Sequence, residues 1–305
     1  MAAPTKAQRE HQQAVVRFQQ AAINILSLTR YTVDPANLPL HYTSLAVIDS
    51  LIEAGFFRIY NAGGMHDPSE GRHLLARMRM KLSDYQIRQL LSANGGHEMF
   101  ISSLVLNSNN RIGDDLMWRT YGDGRKGVAL AFRDLGASSF SDFIEHLAQK
   151  EDITSTDQLG KTPIVKQEMF LGKVCYGTSD MQDEIDNLGE QLRKINVDWL
   201  SEQEKYRLSR LLNFVRYMFK QDLYRREEEA RVLVLRPLLH ALSTRDFSRS
   251  YLEIPGFFRP EALIVGPDAW RPEICKQWLE SQSWVKGNQK VGEKAITIKC
   301  SDREE

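Results

Sequence analysis

Residues 226–235 have the sequence REEEARVLVL, in which a charged segment runs directly into a hydrophobic one. The hydrophobic half, rich in valine, predicts a buried β-strand. Because side chains alternate along a strand, Glu227, Glu229 and Arg231 would share one face, with the two carboxylates about 7 Å apart. Charged groups at the mouth of a buried strand either pair with each other or bind a ligand. The stretch therefore indicates both a strand of a central sheet and a candidate site.

A second stretch, residues 40–60, predicts a β-α-β unit made of a short strand, an apolar helix and a strand of aromatic and β-branched residues. Thr43 or Ser44 can cap the helix. Backbone N–H groups at a helix start bind anions, and a histidine with two hydroxyl groups lies beside them. We therefore expect an anion or nucleotide site that includes His41, Tyr42, Thr43 and Ser44.

Composition limits the class of protein. The chain has 305 residues, of which 42% are hydrophobic, enough for a sizeable core. Lys and Arg together number 40, as do Asp and Glu, so no overall charge attracts nucleic acid or an anionic membrane. The cysteines show no CxxC spacing, which is typical of a reducing compartment. Because neither a signal peptide nor an apolar span of about 18 residues is found, we expect a cytoplasmic protein without a membrane partner.

Hydrophobic periodicity predicts an α+β fold, with one domain over residues 1–285 and a polar tail over 286–305 that contains a further strand near 295–298. An amphipathic helix occupies the N-terminal part, 1–34, and a helical insertion at 180–224 precedes the Glu-x-Glu strand. The central sheet, mixed or split, would contain strands near residues 41, 57, 102, 130, 174, 232, 253 and 264.

A loop rich in glycine and proline, residues 61–71, carries His66, Asp67 and Glu70. Such loops are suited to function because they lack regular structure. Two acids and one histidine without a second spaced cluster are weak support for a metal site, so we expect no metal.

Residues 115–121 predict a short helix that carries further candidate groups. Arg119, together with Arg125 in the following turn, could bind a diphosphate through charge-assisted hydrogen bonds. Tyr121 and Trp118 lie on one helix face, a spacing typical of a core as well as of a stacking platform.

These motifs, in this order, resemble a widespread bacterial family of domains of unknown function. That family has a His-Tyr-Thr-Ser opening, an Asn-Asp-Pro-x-Glu loop, a Trp-Arg-x-Tyr helix before a Gly-Val-Ala-Leu-x-Phe strand, a Glu-x-Glu-x-Arg strand and a closing Ile-Val-Gly-Pro. His66 replaces the usual Asn of the loop. The matching residues, which span about 38–270, are 41–44, 66–70, 118–121, 127–132, 227–231 and 264–267.

An early His and a late Glu are also, more loosely, similar to the ADP-ribosyltransferase superfamily. That resemblance implies that NAD is the substrate, used for ADP-ribosyl transfer or NAD glycohydrolysis. His41 would orient the adenosine-side ribose, and Glu229 would stabilise the positive charge that develops at the nicotinamide ribose. Glu227 would position or deprotonate the acceptor, whether protein, nucleic acid or small molecule. The remaining groups expected to bind the substrate are Tyr42, Thr43, Ser44, Arg119, Tyr121, Arg125 and Arg231.

The residues leave other interpretations open. The same strand mouth could belong to a non-catalytic module that binds a nucleotide, nucleic acid or protein, in which case His41 and Glu229 need not face each other across a cleft. A nuclease or phosphodiesterase would instead use His41 with the loop residues His66, Asp67 and Glu70, and it would need a divalent ion or a His pair that converges on one phosphate. The charges of residues 225–231 could also form a structural ion-pair network.

Overall fold

The fold is described from a computed structural model with side chains. The residues described are 3–52, 56–64, 69, 71–79, 84–93, 97–106, 115–135, 137–148, 166–237, 241–243, 250–255, 259–269, 271–281 and 297–301. The predicted loop residues His66, Asp67 and Glu70 lie outside these ranges, so the prediction for them stays a prediction.

Helices and strands are both abundant, and the predicted α+β class is confirmed. The helices are α1 Lys6–Thr29, α2 Leu45–Ile52, α3 His73–Arg79, α4 Asp84–Ser92, α5 Asp115–Tyr121, α6 Phe140–Ala148, α7 Gln182–Lys194, α8 Glu202–Arg216 and α9 Pro272–Ser281. The strands are β1 Leu40–Thr43, β2 Phe56–Asn61, β3 His97–Val105, β4 Val128–Asp134, β5 Phe170–Lys173, β6 Cys175–Tyr176, β7 Phe219–Lys220, β8 Glu229–Pro237, β9 Leu242–Ser243, β10 Ser250–Pro255, β11 Arg259–Val265 and β12 Thr297–Cys300.

The main sheet forks at β3. Its continuous path has the order β12-β11-β4-β1-β3-β2-β10-β9, while β8 pairs with β3 and β5 pairs with β8. Along one side β3 is antiparallel to the whole length of β8, and along the other it contacts both β2 and β1. The pairing of β11 with β12 is parallel, so the sheet is mixed as well as split. This branching brings β8 next to β3, a strand more than 100 residues earlier in the chain.

Helices cover both faces of the sheet, and strand alternation decides which side chains they meet. On one face, α1, α7 and α8 pack over Met99 and Ile101 of β3 and Leu233 of β8. On the other, Phe100 of β3 and Val232 of β8 join a separate cluster with residues of α2 and α9.

The N-terminal helix α1 confirms the amphipathic pattern of the sequence. Thr5 caps it in a capping box with Gln8, which supplies partners for backbone N–H groups at the helix start. Its buried side chains recur every three or four residues and pack mainly against α7 and α8. No helix in the described ranges is both long and apolar enough to cross a membrane.

Two predicted elements are divided in the structure. The strand expected at 171–176 becomes β5 and β6, and β6 leaves the main sheet to pair with β7. The predicted helical insertion contains α7 and α8, but after Arg216 the chain forms β7 and the 3-10 helix Asp222–Glu227. Within the predicted C-terminal tail, β12 lies parallel to β11.

Candidate functional site

The chain changes direction between the two predicted carboxylates, which corrects the expected alternation. Glu229 is the first residue of β8, whereas Glu227 ends the preceding 3-10 helix. Between them Glu228 has a left-handed backbone with φ of 41°. Glu227 is therefore outside the strand, and a strand spacing does not describe the pair. The two carboxylates are nevertheless joined, because Lys220 Nζ lies 2.8 Å from Glu227 Oε2 and 2.7 Å from Glu229 Oε2.

Glu229 is held by protein groups on all sides. Its Oε1 accepts hydrogen bonds from the Ser103 hydroxyl and, at 2.7 Å, from Arg231 Nε. Its Oε2 accepts from Arg231 Nη2 at 3.1 Å and pairs with Lys220. A carboxylate offers about four lone-pair positions, so these partners saturate Glu229. Only 4% of its side chain is exposed.

Electrostatics keep Glu229 ionised. Burial alone would raise the pKa of its carboxyl, but the Arg231 and Lys220 charges, with their hydrogen bonds, outweigh burial and lower the pKa to about 2. Arg231 is itself fully buried and also donates from Nη1 to the carbonyl oxygen of Tyr217. The guanidinium predicted to bind substrate is therefore engaged inside the protein.

Glu227 differs from Glu229 in both exposure and hydrogen bonding. Its Oε1 accepts a hydrogen bond from the Tyr121 hydroxyl at 2.7 Å, and its Oε2 accepts from Lys220 Nζ at 2.8 Å. One lone-pair position on each oxygen is left over by these two partners. The Glu227 side chain is 16% exposed, and Tyr121 is 44% exposed. Burial and the neighbouring Glu227 raise the pKa of Tyr121, which keeps its hydroxyl a donor.

His41 lies on the opposite face of the sheet from Glu229. Leu40 is the cross-strand neighbour of Val105, and Val105 is the neighbour of Glu229, so these three side chains point to one face. His41, next to Leu40, points to the other, where its ring packs edge-on against Phe57 at 4.9 Å. The two groups do not line one cleft.

Two hydrogen bonds join His41 to Glu229 through Ser103, in the strand that lies between them. His41 Nδ1 donates to the backbone oxygen of Ser103 at 3.2 Å, and the Ser103 hydroxyl donates to Glu229. Burial lowers the pKa of His41, although the bond to Ser103 acts in the opposite direction. His41 is thus a neutral, hydrogen-bonded histidine within the sheet.

The other residues of the predicted N-terminal site do not share one face of the sheet. Tyr42 follows Leu40 onto the Glu229 face and packs edge-on against Trp118, with ring centroids 4.8 Å apart. Thr43 alternates back to the face of His41. Ser44 contributes its carbonyl oxygen to the backbone N–H of Val47 at the start of α2.

Arg119 and Arg125, predicted to bind a diphosphate, converge on one acid instead. Each forms an ion pair with Asp115 at the start of α5. Arg125 also lies 2.9 Å, measured from Nε, from Asp268 Oδ2. These pairs fix the turn after α5 against the chain that follows β11.

Residues 117–232 match the model of a family described as a protein of unknown function, DUF2971. The match covers less than half of the chain. It contains Tyr121, Lys220, Glu227, Glu229 and Arg231 but leaves out the His41 segment. No curated protein matches the chain, and neither does a solved structure.

Sequence reasoning missed Lys220 and Ser103, which complete the cluster in and beside the DUF2971-like segment. Lys220 fell within a predicted helix, where nothing marked it as a partner of Glu227. Burial opposes the charge of Lys220, but Glu229 and Glu227 raise its pKa, so it remains an ammonium. The pairing of β3 with β8 delivers Ser103, and no local pattern reports that pairing. We call Ser103, Tyr121, Lys220, Glu227, Glu229 and Arg231 the strand-mouth cluster.

In the part of the chain that is described, no group of three or more His, Cys, Asp or Glu side chains could hold a metal ion. What the strand-mouth cluster offers is the fixed carboxylate of Glu227, next to a phenol and with acceptor positions that its described partners leave open. Such a group accepts hydrogen bonds from ligand hydroxyls or amines.

Proposed function

We propose that the protein binds the ribose of a nucleotide at the strand-mouth cluster, and that Glu227 is the residue that holds the sugar. The observation that carries this proposal is the difference in hydrogen bonding between the two carboxylates. Among the described residues, the partners of Glu229 occupy all of its acceptor positions, whereas those of Glu227 leave one open on each oxygen. Two adjacent acceptor atoms suit the vicinal hydroxyls of a ribose, which carboxylates bind in other nucleotide sites.

The surrounding groups support a sugar rather than a phosphate at this point. Lys220 already pairs with both carboxylates, and Arg231 is buried on Glu229. Neither cation is available to a phosphate unless an ion pair with buried Glu229 is broken, which is costly. Tyr121, more exposed than its neighbours, can pack its ring against a ligand that occupies Glu227.

A second candidate is an NAD-consuming enzyme similar to ADP-ribosyltransferases. It is favoured by a carboxylate that Tyr121 and Lys220 fix in place, because a fixed anion beside a ribose stabilises the oxocarbenium character of a breaking glycosidic bond. The bond from C1′ to nicotinamide would break with its electrons leaving on nicotinamide, while an acceptor oxygen would bond to C1′ and release its proton to water. Glu227, not Glu229, would serve this reaction, and His41, on the opposite face of the sheet, would not line the same cleft.

Calorimetric titration with AMP, 2′-deoxy-AMP and NAD tests the proposal. We expect AMP to bind more tightly than 2′-deoxy-AMP by about tenfold, the value of one hydrogen bond to a charged group. Glu227→Gln should abolish this preference, since one acceptor oxygen becomes an amide donor.

The matched control is Glu190→Gln, which also removes a glutamate paired to a lysine, Lys194, at a solvent-exposed place. It should leave the preference for AMP over 2′-deoxy-AMP unchanged.

Nicotinamide release from NAD, lost in Glu227→Gln, would establish the second candidate. Equal binding of AMP and 2′-deoxy-AMP to the unmodified protein, or no binding of either, would contradict the first.

A further inference from the structure

A cavity of about 160 Å³ lies where α1 ends, and it shares no lining residue with the strand-mouth cluster. Four parts of the chain enclose it: the segment after α1, the end of β4, the start of α6, and β5. The cavity lies between the two main hydrophobic clusters, since its lining residue Phe170 belongs to one cluster and Leu171 to the other. The lining residues used below are Arg30, Arg133, Asp134, Phe140, Phe143 and Phe170.

One end of the cavity is aromatic. The rings of Phe143 and Phe170 have centroids 5.1 Å apart, and Phe140 lies 6.4 Å from each of them. Tilted rings at this spacing can accept a further ring in an edge-to-face arrangement. The volume fits one ring, because an apolar cavity of about 150 Å³ in another protein binds benzene.

The rim carries charge that is not balanced within the described residues. Arg133 pairs with Glu261, with Nη2 2.6 Å from Oε1. Asp134 has a partner of its own. Arg30, the residue that caps α1, is exposed, and no partner for its guanidinium is found in the described part of the chain. A guanidinium at the edge of a cavity with one aromatic end favours a carboxylate, which it can bind through two parallel hydrogen bonds.

We propose that this cavity is a second binding site, for a small aromatic carboxylate whose ring packs against Phe140, Phe143 and Phe170 and whose carboxylate pairs with Arg30. The site is independent of the nucleotide proposal, since neither Glu227 nor its partners take part. Ligands with a single ring fit the volume, and ligands without an acid lose the pairing with Arg30.

Benzoate and its neutral analogue benzyl alcohol test the site in an NMR titration of the labelled full chain. For a ligand of this size we expect benzoate to bind with Kd on the order of 1 mM, with shifts at the lining residues, and benzyl alcohol to bind about tenfold more weakly. Arg30→Gln should weaken benzoate about tenfold and leave benzyl alcohol unchanged.

Arg17→Gln is the matched control, because it removes the same charge from an exposed position on the same helix, about 20 Å away along the axis. It should leave both ligands unaffected. The proposal is wrong if benzoate produces no shifts at the lining residues, if the two ligands bind equally to the unmodified protein, or if Arg17→Gln weakens benzoate as much as Arg30→Gln does.

Discussion

Two glutamates that the sequence makes look equivalent have different environments. Glu229 balances the charges of Arg231 and Lys220 inside the protein, and all its acceptor positions are occupied. Glu227 reaches the surface with positions to spare. Substituting Glu229 should therefore affect folding, whereas substituting Glu227 should affect binding.

Acid should expose the role of Glu229 in stability. Its pKa falls from an ordinary value of 4.5 to about 2 on folding, so the unfolded chain binds this proton first. The stabilisation is fully present above about pH 4.5 and is lost as the pH falls towards 2. Glu229→Gln should lower the free energy of unfolding by about 3 kcal/mol at pH 7, because two buried cations lose their counter-charge.

Urea unfolding of both proteins between pH 2 and pH 7 measures this effect. The difference in stability between them should shrink below about pH 4.5. Glu227→Gln, which leaves Glu229 and Arg231 in place, should cost about 1 kcal/mol or less at pH 7. An unchanged difference across the whole pH range would show that the charge of Glu229 does not stabilise the fold.

At the scale of elements, the turn between α5 and β4 depends on close backbone packing at Gly127. Its N–H donates to the carbonyl oxygen of Gly122 at 2.8 Å, and its own carbonyl accepts from Gly266. A Cβ at Gly127 would overlap the carbonyl oxygens of Thr43 and Gly122. Only a residue without a side chain lets these three segments meet.

Gly127→Ala should therefore lower the free energy of unfolding by about 3 kcal/mol, since backbone atoms must move apart. Gly189→Ala is the control: Gly189 lies within α7, and a Cβ there meets nothing within 4 Å. That change should stabilise the protein by up to about 1 kcal/mol through helix propensity. Equal effects of the two substitutions in urea unfolding would argue against the packing at Gly127.

Local sequence patterns predict most elements and fail where the deciding interaction is not local. Periodicity and capping residues identify α1, and the valine-rich run identifies β8. The left-handed turn at Glu228 carries no glycine or asparagine to signal it, so the sequence pattern predicts strand alternation that begins too early, at Glu227. The division of β5 from β6 depends on the partner β7, which is more than 40 residues away in sequence.

At the scale of the whole molecule, register decides the membership of the site. The strands β1, β3 and β8 come from distant parts of the chain, and their pairing places Leu40, Val105 and Glu229 in one row. A shift by one residue would turn His41 to the face of Glu229. Local sequence patterns identify both His41 and Glu229 as candidates. They do not predict the register of the strands, so the structure is needed to place the two residues on opposite faces.

The same branching sheet explains why the strand-mouth cluster is assembled from segments far apart in the chain. Ser103 comes from β3, Tyr121 from α5, Lys220 from β7 and Glu229 from β8. The buried ion pairs fix these elements relative to one another, and Glu227 is presented at their edge. Folding and binding are therefore served by neighbouring but different carboxylates.

A crystal structure of the protein bound to AMP would test this division most directly. We predict that the ribose hydroxyls lie within hydrogen-bond distance, about 2.6–3.2 Å, of the Glu227 carboxylate, while Glu229 keeps its bonds to Ser103, Arg231 and Lys220. A ribose held by Glu229, or by Glu229 and His41 together, would contradict the account.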